Sequence, residues 1–269
     1  MDLKVVLLGI IQGLTEFLPV SSSGHLALAR IFLGMELPPL NYDLILHVAT
    51  VLATLVFFAP DILELLAEWF SGFFSSGGRK RAGWRIGWAV IAGTVITAAI
   101  GLFLKKYAEE ASMNSLAVAA GLIVTAAVLF LSRKMGNGCG HVTLTDGLYA
   151  GIAQGLAVFP GVSRSGLTIM AGLAAGLSKE EAFRFSFLLS VPAILGAAAM
   201  QALEIGGWHE FVSTLPPGWY IGALCAFVSG LLSLFVLKRL VIASKWWLFG
   251  VYCLTVGLLA AGATYLGAW

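Results

Sequence analysis

Charged residues are scarce in this chain. Asp, Glu, Lys and Arg make up 11% of its 269 residues, whereas soluble domains carry about 25%. Hydrophobic residues account for 59%, and the mean hydropathy is +0.93. This composition excludes an ordinary soluble domain and predicts a protein that lies within a lipid bilayer.

The sequence also lacks a strong net charge, a disulfide framework and a predicted cleavable signal peptide. The net charge is only +2 and no basic cluster alternates with aromatics, so a nucleic-acid partner is not expected. The three cysteines, Cys139, Cys225 and Cys253, are odd in number and lack metal or redox spacing, which argues against a disulfide framework. No cleavable signal peptide is predicted, because residues 1–18 run directly into Pro19 and are interpreted as mature structure.

Long apolar stretches are abundant, and six of them are predicted to cross the bilayer as helices. A further segment, 61–70, has an amphipathic pattern and is predicted to lie at the membrane interface. The predicted spans are 40–59, 84–104, 113–131, 181–203, 219–237 and 246–269.

Two further apolar regions are interrupted. Residues 3–34 are broken at 19–24 and residues 147–176 at 160–166, both by runs of Pro, Gly and Ser that end helices. Each half is too short to cross a hydrocarbon core of about 30 Å. Each region is therefore predicted to enter and leave on one side, as a re-entrant hairpin.

Basic residues test this topology, because cytoplasmic loops are enriched in Lys and Arg. With both hairpins re-entrant, ten basic residues fall on one side and four on the other. This predicts that the first side is cytoplasmic, that both termini lie outside, and that the first hairpin enters from outside and the second from the cytoplasm. The ten are Arg79, Lys80, Arg81, Arg85, Arg133, Lys134, Lys179, Lys238, Arg239 and Lys245; the four are Lys4, Arg30, Lys105 and Lys106.

The two interrupted regions are copies of one motif. Residues 9–24 (GIIQGLTEFLPVSSSG) and 151–166 (GIAQGLAVFPGVSRSG) are identical at ten of sixteen positions without a gap. With three spans between the hairpins the copies have opposite orientation, which is typical of an inverted-topology repeat. The fold prediction is an all-α membrane protein with six spans and two re-entrant hairpins. It forms a single domain over 1–269, with halves of approximately 1–140 and 141–269.

The copies differ where chemistry is expected. Glu16 stands where the second copy has Val158, and His25 stands where it has Leu167. In the opposite direction, Arg164 replaces Ser22. A symmetric scaffold is therefore predicted to hold an asymmetric polar site.

Gln12 and Glu16 are spaced i, i+4 and share a helix face. A carboxylate at membrane depth is costly and needs a partner, a metal or a water-filled cavity. A structural pair of Glu16 with Arg164 is one interpretation. The other is that Glu16 and Gln12 hold a divalent cation, Mg²⁺ or Ca²⁺, that bridges a diphosphate.

The serines at both breaks precede helix starts, where they can cap a helix or help to bind an anion. Arg164 adds a planar cation suited to phosphate, although an interfacial cation is the alternative. The site therefore suits a phosphate or diphosphate group, and its membrane depth suggests a lipid. The predicted phosphate-binding residues are Ser21, Ser23, Ser163, Ser165 and Thr168.

Ser22 and His25 are predicted to face one cavity, as a nucleophile and an acid/base group. His25 as the nucleophile is the alternative, and a capping serine with a structural histidine is a third interpretation. Asp43 and His47 form another i, i+4 pair that either lines the cavity or supports it. His141 and His209 fall in predicted loops and are not expected to take part.

Two motifs together resemble the undecaprenyl-diphosphate phosphatase family, also called the bacitracin-resistance family. The first is Gln12-Gly-Leu-Thr-Glu16 followed by a Ser-rich stretch that ends in Gly24-His25. The second is Pro160-Gly-Val-Ser-Arg-Ser-Gly-Leu-Thr168. Segment order and length agree across essentially the whole chain. Many members of the family have Glu at the first motif position, where this chain has Gln12.

The resemblance implies removal of the terminal phosphate from a polyprenyl diphosphate, which recycles the lipid carrier used in cell-wall glycan synthesis. It implies a divalent metal and a plasma-membrane site open to the outer face, and it leaves a homodimer open. It suggests Glu16, Ser22, His25 and Arg164 as the functional core. Inverted repeats of broken helices also occur in transporters, so a polyprenyl-phosphate transporter or flippase is the competing interpretation. A scaffold subunit would leave Glu16 and Arg164 unexplained.

Overall fold

The computed structural model describes residues 3–32, 40–135, 138–204 and 208–266, which form α-helices, two short 3₁₀ turns and no strand. The helices begin and end as follows: α1 Leu3–Phe17, α2 Ser22–Phe32, α3 Leu40–Phe57, α4 Ala59–Phe74, α5 Ala82–Ser112, α6 Ser115–Leu131, α7 Leu144–Leu156, α8 Arg164–Ala174, α9 Lys179–Glu204, α10 Trp208–Ser213, α11 Trp219–Ile242 and α12 Trp246–Tyr265.

Both predicted interruptions separate helices. The first lies between α1 and α2, where the chain turns with Ser21 in the left-handed region (φ 70°). The second lies between α7 and α8, where Gly161 takes a left-handed conformation (φ 84°) that glycine adopts without strain. Ser21 has a Cβ, so the same left-handed conformation costs it conformational energy. Such strained residues are usually held in place by the surrounding structure.

In the part of the chain that the structure describes, four helices are long and apolar enough to cross a membrane: α5, α9, α11 and α12. A fifth span results if α3 and α4, which meet at a 75° bend, count together. The predicted segment 113–131 corresponds to α6, which is apolar but has only 17 residues because Asn114 caps its start. Of the predicted span 246–269, residues 267–269 lie outside the described residues, as do residues 33–34 of the first interrupted region.

The predicted span 84–104 is shorter than the helix. The predicted span ends at Leu104, just before Lys105, where the apolar stretch ends, but α5 continues to Ser112. Lys, Ala and Glu are good helix formers, so a change in polarity does not end a helix by itself. The predicted amphipathic segment 61–70 lies within α4.

The first helix of each motif copy packs against a long helix of the opposite half. Gly9 and Gly13 of α1 leave no space for a Cβ against Gly222 and Ser229 of α11, so the two backbones are in direct contact. Positions on both helices increase together, which means that α1 and α11 run parallel. Such small-residue contacts are the usual way that helices approach closely in membranes.

The second copy makes the equivalent contact. Gly151 of α7 faces Gly93 of α5, and Gly155 lies against Ile100, so these helices also run parallel. In contrast, α6 and α12 run antiparallel, because Ser115 bonds Thr264 near one end while Gly250 contacts Phe130 near the other. Thus α1 packs directly on α11, and α7 packs directly on α5.

Candidate functional site

The two breaks meet each other in a reciprocal way. A Cβ on Gly24 would lie 3.0 Å from the Cα of Gly161, and one on Gly166 would lie 3.3 Å from the Cβ of Pro19. Gly24 aligns with Gly166 and Pro19 aligns with Gly161 in the repeat. Equivalent residues therefore make equivalent contacts, as they do across a two-fold axis.

In each break, a serine side chain caps the start of the helix that follows. The Gly24 amide donates to Ser21 Oγ (3.3 Å), and the Gly166 amide donates to Ser163 Oγ (3.1 Å). Both capping serines are buried. The capping interpretation is thus confirmed for these two serines, which leaves the residues that follow them to present other chemistry.

A side chain from α6 fixes the second break. Thr125 is fully buried, donates to the Gly161 carbonyl (2.9 Å) and accepts from the Ser163 amide (2.8 Å). On α12 the thiol of Cys253 donates to the carbonyl of Pro19 (3.6 Å), which is the position equivalent to Gly161. Neither residue was among the predicted site residues, because each lies in an apolar helix without a motif.

Glu16 lies at the centre of the polar contacts. Its Oε1 accepts from Arg164 Nη2 (2.5 Å), and its Oε2 accepts from Gln12 Nε2 (3.0 Å) and from the Ser22 hydroxyl (2.5 Å). His47 Nε2 lies 3.6 Å from the same Oε2. The Glu16 side chain is only 4% exposed, so these partners replace the water that a carboxylate would otherwise need.

Two buried polar atoms beside Glu16 have no hydrogen-bond partner among the described residues. They are Nη1 of Arg164 and Oε1 of Gln12. Buried polar groups are normally satisfied, so such atoms call for an explanation. One is a donor and the other an acceptor, which is the complement that a phosphate group with a bound cation requires.

His25 does not bond Ser22. Its Nδ1 lies 2.8 Å from the Ser21 carbonyl, and its Nε2 lies 2.8 Å from the hydroxyl of Tyr252 on α12. Ser22 instead donates to Glu16. The structure thus pairs the Ser22 hydroxyl with the Glu16 carboxylate, whereas the His25 imidazole contacts the Ser21 carbonyl and the Tyr252 hydroxyl.

Asp43 and His47, the second i, i+4 pair, make different contacts. Asp43 pairs with Arg30 of α2 and so joins α2 to α3. The Asp43 carbonyl accepts from His47 Nδ1 (2.8 Å), which orients the other ring nitrogen toward Glu16. Of the two, His47 reaches the site.

Four of the five predicted phosphate-binding residues are buried: Ser21, Ser163, Ser165 and Thr168. The Thr168 hydroxyl donates to the Arg164 carbonyl (2.8 Å) and lies 2.5 Å from Ser186 Oγ. Ser165 donates to the Leu18 carbonyl (3.4 Å). Ser23, in contrast, is exposed.

The two loop histidines lie apart from these contacts in what the structure describes. His141 is exposed, and the side chain of His209 lies outside the described part.

The described residues contain no cluster of three His, Cys, Asp or Glu side chains that could hold a metal alone. Glu16 supplies one carboxylate, and the unpartnered Oε1 of Gln12 supplies a neutral oxygen. Mg²⁺ commonly binds one or two carboxylates together with substrate phosphates and water. The residues therefore fit a cation that arrives with a phosphorylated substrate and takes most of its ligands from it.

Comparisons with known proteins cover nearly the whole chain. The family model described as bacitracin resistance protein BacA matches residues 5–259. An undecaprenyl-diphosphatase of Syntrophotalea carbinolica is 42% identical over 95% of this chain and 96% of its own length. Relatives of the same name from Korarchaeum cryptofilum and Mycobacterium ulcerans are 38% and 40% identical, each over 95% of this chain and over 96% and 94% of their own lengths. The chain therefore belongs to the BacA family of bacitracin resistance proteins.

Proposed function

We propose that this chain is a membrane phosphatase that hydrolyses undecaprenyl diphosphate to the monophosphate and phosphate, and so recycles the lipid carrier for envelope glycan synthesis. The observation that carries the proposal is the hydrogen-bonded row Ser22–Glu16–Arg164. It combines a hydroxyl, a buried carboxylate and a guanidinium with one free donor. The family and the names of its relatives agree with this chemistry.

In this proposal Arg164 binds the terminal phosphate through Nη1 and stabilises the charge that develops on the transferring phosphoryl group. The Ser22 oxygen attacks the terminal phosphorus, and its proton passes to Glu16 Oε2, the atom to which it already donates. The bond to the bridging oxygen breaks and the polyprenyl monophosphate leaves. Water then releases the phosphate from Ser22.

His25 is the alternative nucleophile. Its Nε2 would have to leave Tyr252 before it could attack phosphorus, since the two atoms are 2.8 Å apart. Ser22 needs no such rearrangement. We therefore assign nucleophilic attack to Ser22. We assign to His25 the transfer of a proton to or from the leaving group.

We further propose the inverted-topology repeat with six spans. The short links 113–114 and 243–245 make α5 antiparallel to α6 and α11 antiparallel to α12. Because α6 and α12 are antiparallel to each other, α5 opposes α11, and α1 and α7, which run parallel to them, oppose each other. The reciprocal contacts between the breaks support the same arrangement.

We propose that the protein lies in the plasma membrane with both termini outside, as the distribution of basic residues indicates. We also propose that the site opens to the outer face, as the family resemblance implies. That orientation, the division into halves of about 1–140 and 141–269, and a homodimer are parts of the proposal. Cysteine accessibility at Ser75→Cys and Met113→Cys, which lie at opposite ends of the α4–α5 pair, would test the orientation.

The defining experiment is phosphate release by purified protein from farnesyl or undecaprenyl diphosphate in detergent or liposomes. We expect metal-dependent release of one phosphate per lipid and accumulation of the monophosphate. Movement of the lipid headgroup across liposomes without phosphate release would contradict the proposal and favour a transporter.

Metal removal should abolish this activity, and Mg²⁺ or Ca²⁺ should restore it. Gln12→Ala should raise the cation concentration for half-maximal activity about 10-fold, because it removes one neutral ligand. Gln154→Ala is the matched control, since Gln154 is the equivalent buried glutamine of the second copy and Val158 stands where Glu16 would be. An equal shift in both variants would argue against a cation at Gln12.

A further inference from the structure

Tyr252 lies on α12, outside both copies of the motif, and contacts the site directly. Its hydroxyl is 2.8 Å from His25 Nε2, and the two rings are stacked with centroids 5.5 Å apart and planes at 9°. It is 44% exposed, so it is not a core side chain on which folding depends. These contacts connect α12 with the start of α2.

The contacts of His25 define which ring nitrogen carries the proton. Nδ1 lies 2.8 Å from the Ser21 carbonyl oxygen, which can only accept, so Nδ1 is protonated. In the neutral ring Nε2 is then the acceptor, and the Tyr252 hydroxyl donates to it. Both ring nitrogens are thereby fixed, and Nε2 is the one atom of His25 that can take up or release a proton without losing the backbone contact.

The second copy lacks this polar pair. Tyr252 immediately precedes Cys253, which holds the Pro19 carbonyl. In the other half Thr125 holds the equivalent Gly161 carbonyl, and the residue before it is Val124. His25 is likewise replaced by Leu167, so both members of the pair are polar in the first copy and apolar in the second.

We infer that Tyr252 is a positioning residue of the phosphatase site. It holds the His25 ring so that Nε2 is the nitrogen that takes up or releases a proton, with the Tyr252 hydroxyl as its hydrogen-bond partner in that transfer. This inference rests on the proposed function for its kinetic consequence, but the tautomer that it assigns to His25 does not depend on any activity.

The test compares Tyr252→Phe, which keeps the ring and removes the hydroxyl, with Tyr149→Phe. Tyr149 is an exposed tyrosine of α7 and serves as the control. We expect Tyr252→Phe to lower kcat about 10-fold, with KM and Tm unchanged, because a misplaced acid/base group loses part of its contribution. Tyr149→Phe should leave all three values unchanged.

A double-mutant comparison shows whether Tyr252 acts through His25. In a His25→Asn background, Tyr252→Phe should cause no further loss of kcat. An unchanged kcat for Tyr252→Phe, or an equal loss in both backgrounds, would overturn the inference.

Nitrogen-15 NMR of labelled histidine provides a readout without turnover. The His25 signal, identified by its loss in His25→Asn, should show the Nδ1–H tautomer in the wild type. In Tyr252→Phe the chemical shift of Nε2 should change, because the hydrogen bond from the tyrosine hydroxyl is lost, and an unchanged Nε2 shift would contradict the role of Tyr252. A pure Nε2–H tautomer in the wild type would refute the assignment. If the wild type released no phosphate, the proposed function would fail while this measurement would still decide the role of Tyr252.

Discussion

Arg164→Ala is expected to lower the rate of phosphate release about 10³-fold. The Arg164 guanidinium contacts Glu16 through Nη2, and its buried Nη1 has no partner among the described residues. That nitrogen is therefore available to bind the phosphoryl group. Removing the guanidinium takes away charge stabilisation of the transferring phosphoryl group. It also leaves the Glu16 carboxylate, which is 4% exposed, without its counter-charge. We expect a lower Tm in addition to the lost activity, since breaking a buried pair costs about 3–5 kcal/mol.

Arg164→Lys separates these two effects. Lysine keeps the charge, so the variant should fold with a Tm near that of the wild type. It cannot contact Glu16 and a phosphate with two nitrogens of one planar group, so activity should remain at least about 30-fold low. Arg85→Ala is the control, because Arg85 is exposed and has no ion pair among the described residues. Full activity of Arg164→Lys would contradict the planar two-contact role.

Ser22→Ala is expected to reduce turnover by about 10³- to 10⁴-fold, because it removes the oxygen that attacks phosphorus. Stability should change by only about 1 kcal/mol, since Glu16 Oε2 keeps its hydrogen bond from Gln12. The measurement is the rate of phosphate release at saturating substrate and metal. Ser112→Ala, at an exposed serine that ends α5, is the control and should retain nearly full activity.

A rapid-quench experiment with substrate labelled in its terminal phosphate distinguishes the two candidate nucleophiles. Attack by Ser22 should leave an acid-stable phosphoserine that disappears in Ser22→Ala. Attack by His25 would instead leave an acid-labile phosphohistidine. Recovery of the acid-labile form, with retained labelling in Ser22→Ala, would transfer the nucleophilic role to His25.

Three central residues of this site could be predicted from a comparison of the two motif copies, because the positions at which the copies differ carry the polar side chains. Glu16, Ser22 and Arg164 stand out where two otherwise similar segments differ, and the structure brings all three into contact. The i, i+4 spacing of Gln12 and Glu16 likewise predicted a shared helix face, and their side chains are 3.0 Å apart. Spacing within one helix fixes neighbours without any knowledge of the tertiary fold.

Partners contributed by distant helices could not be predicted. Tyr252 and Thr125 lie in helices whose composition gives only an apolar signal, and their contacts depend on how α12 and α6 pack. The same limit applies to Asp43, which binds Arg30 rather than Glu16. The spacing of Ser22 and His25 predicts a shared cavity but does not fix their hydrogen bonds. The His25 ring contacts the Ser21 carbonyl, and Ser22 donates to Glu16.

The first helix of each proposed half rests on a long helix of the other, α1 on α11 and α7 on α5. Because Gly9 rests on Gly222 and Gly151 rests on Gly93, each half resembles one partner of a domain-swapped dimer whose two members have been fused. We therefore expect that neither proposed half, expressed alone, buries the glycine face of its own first helix. A chain cut between residues 136 and 137 should therefore regain its structure only when both fragments are present together. Because Gly24 contacts Gly161 and Gly166 contacts Pro19, the side chains that fit in one break depend on those in the other.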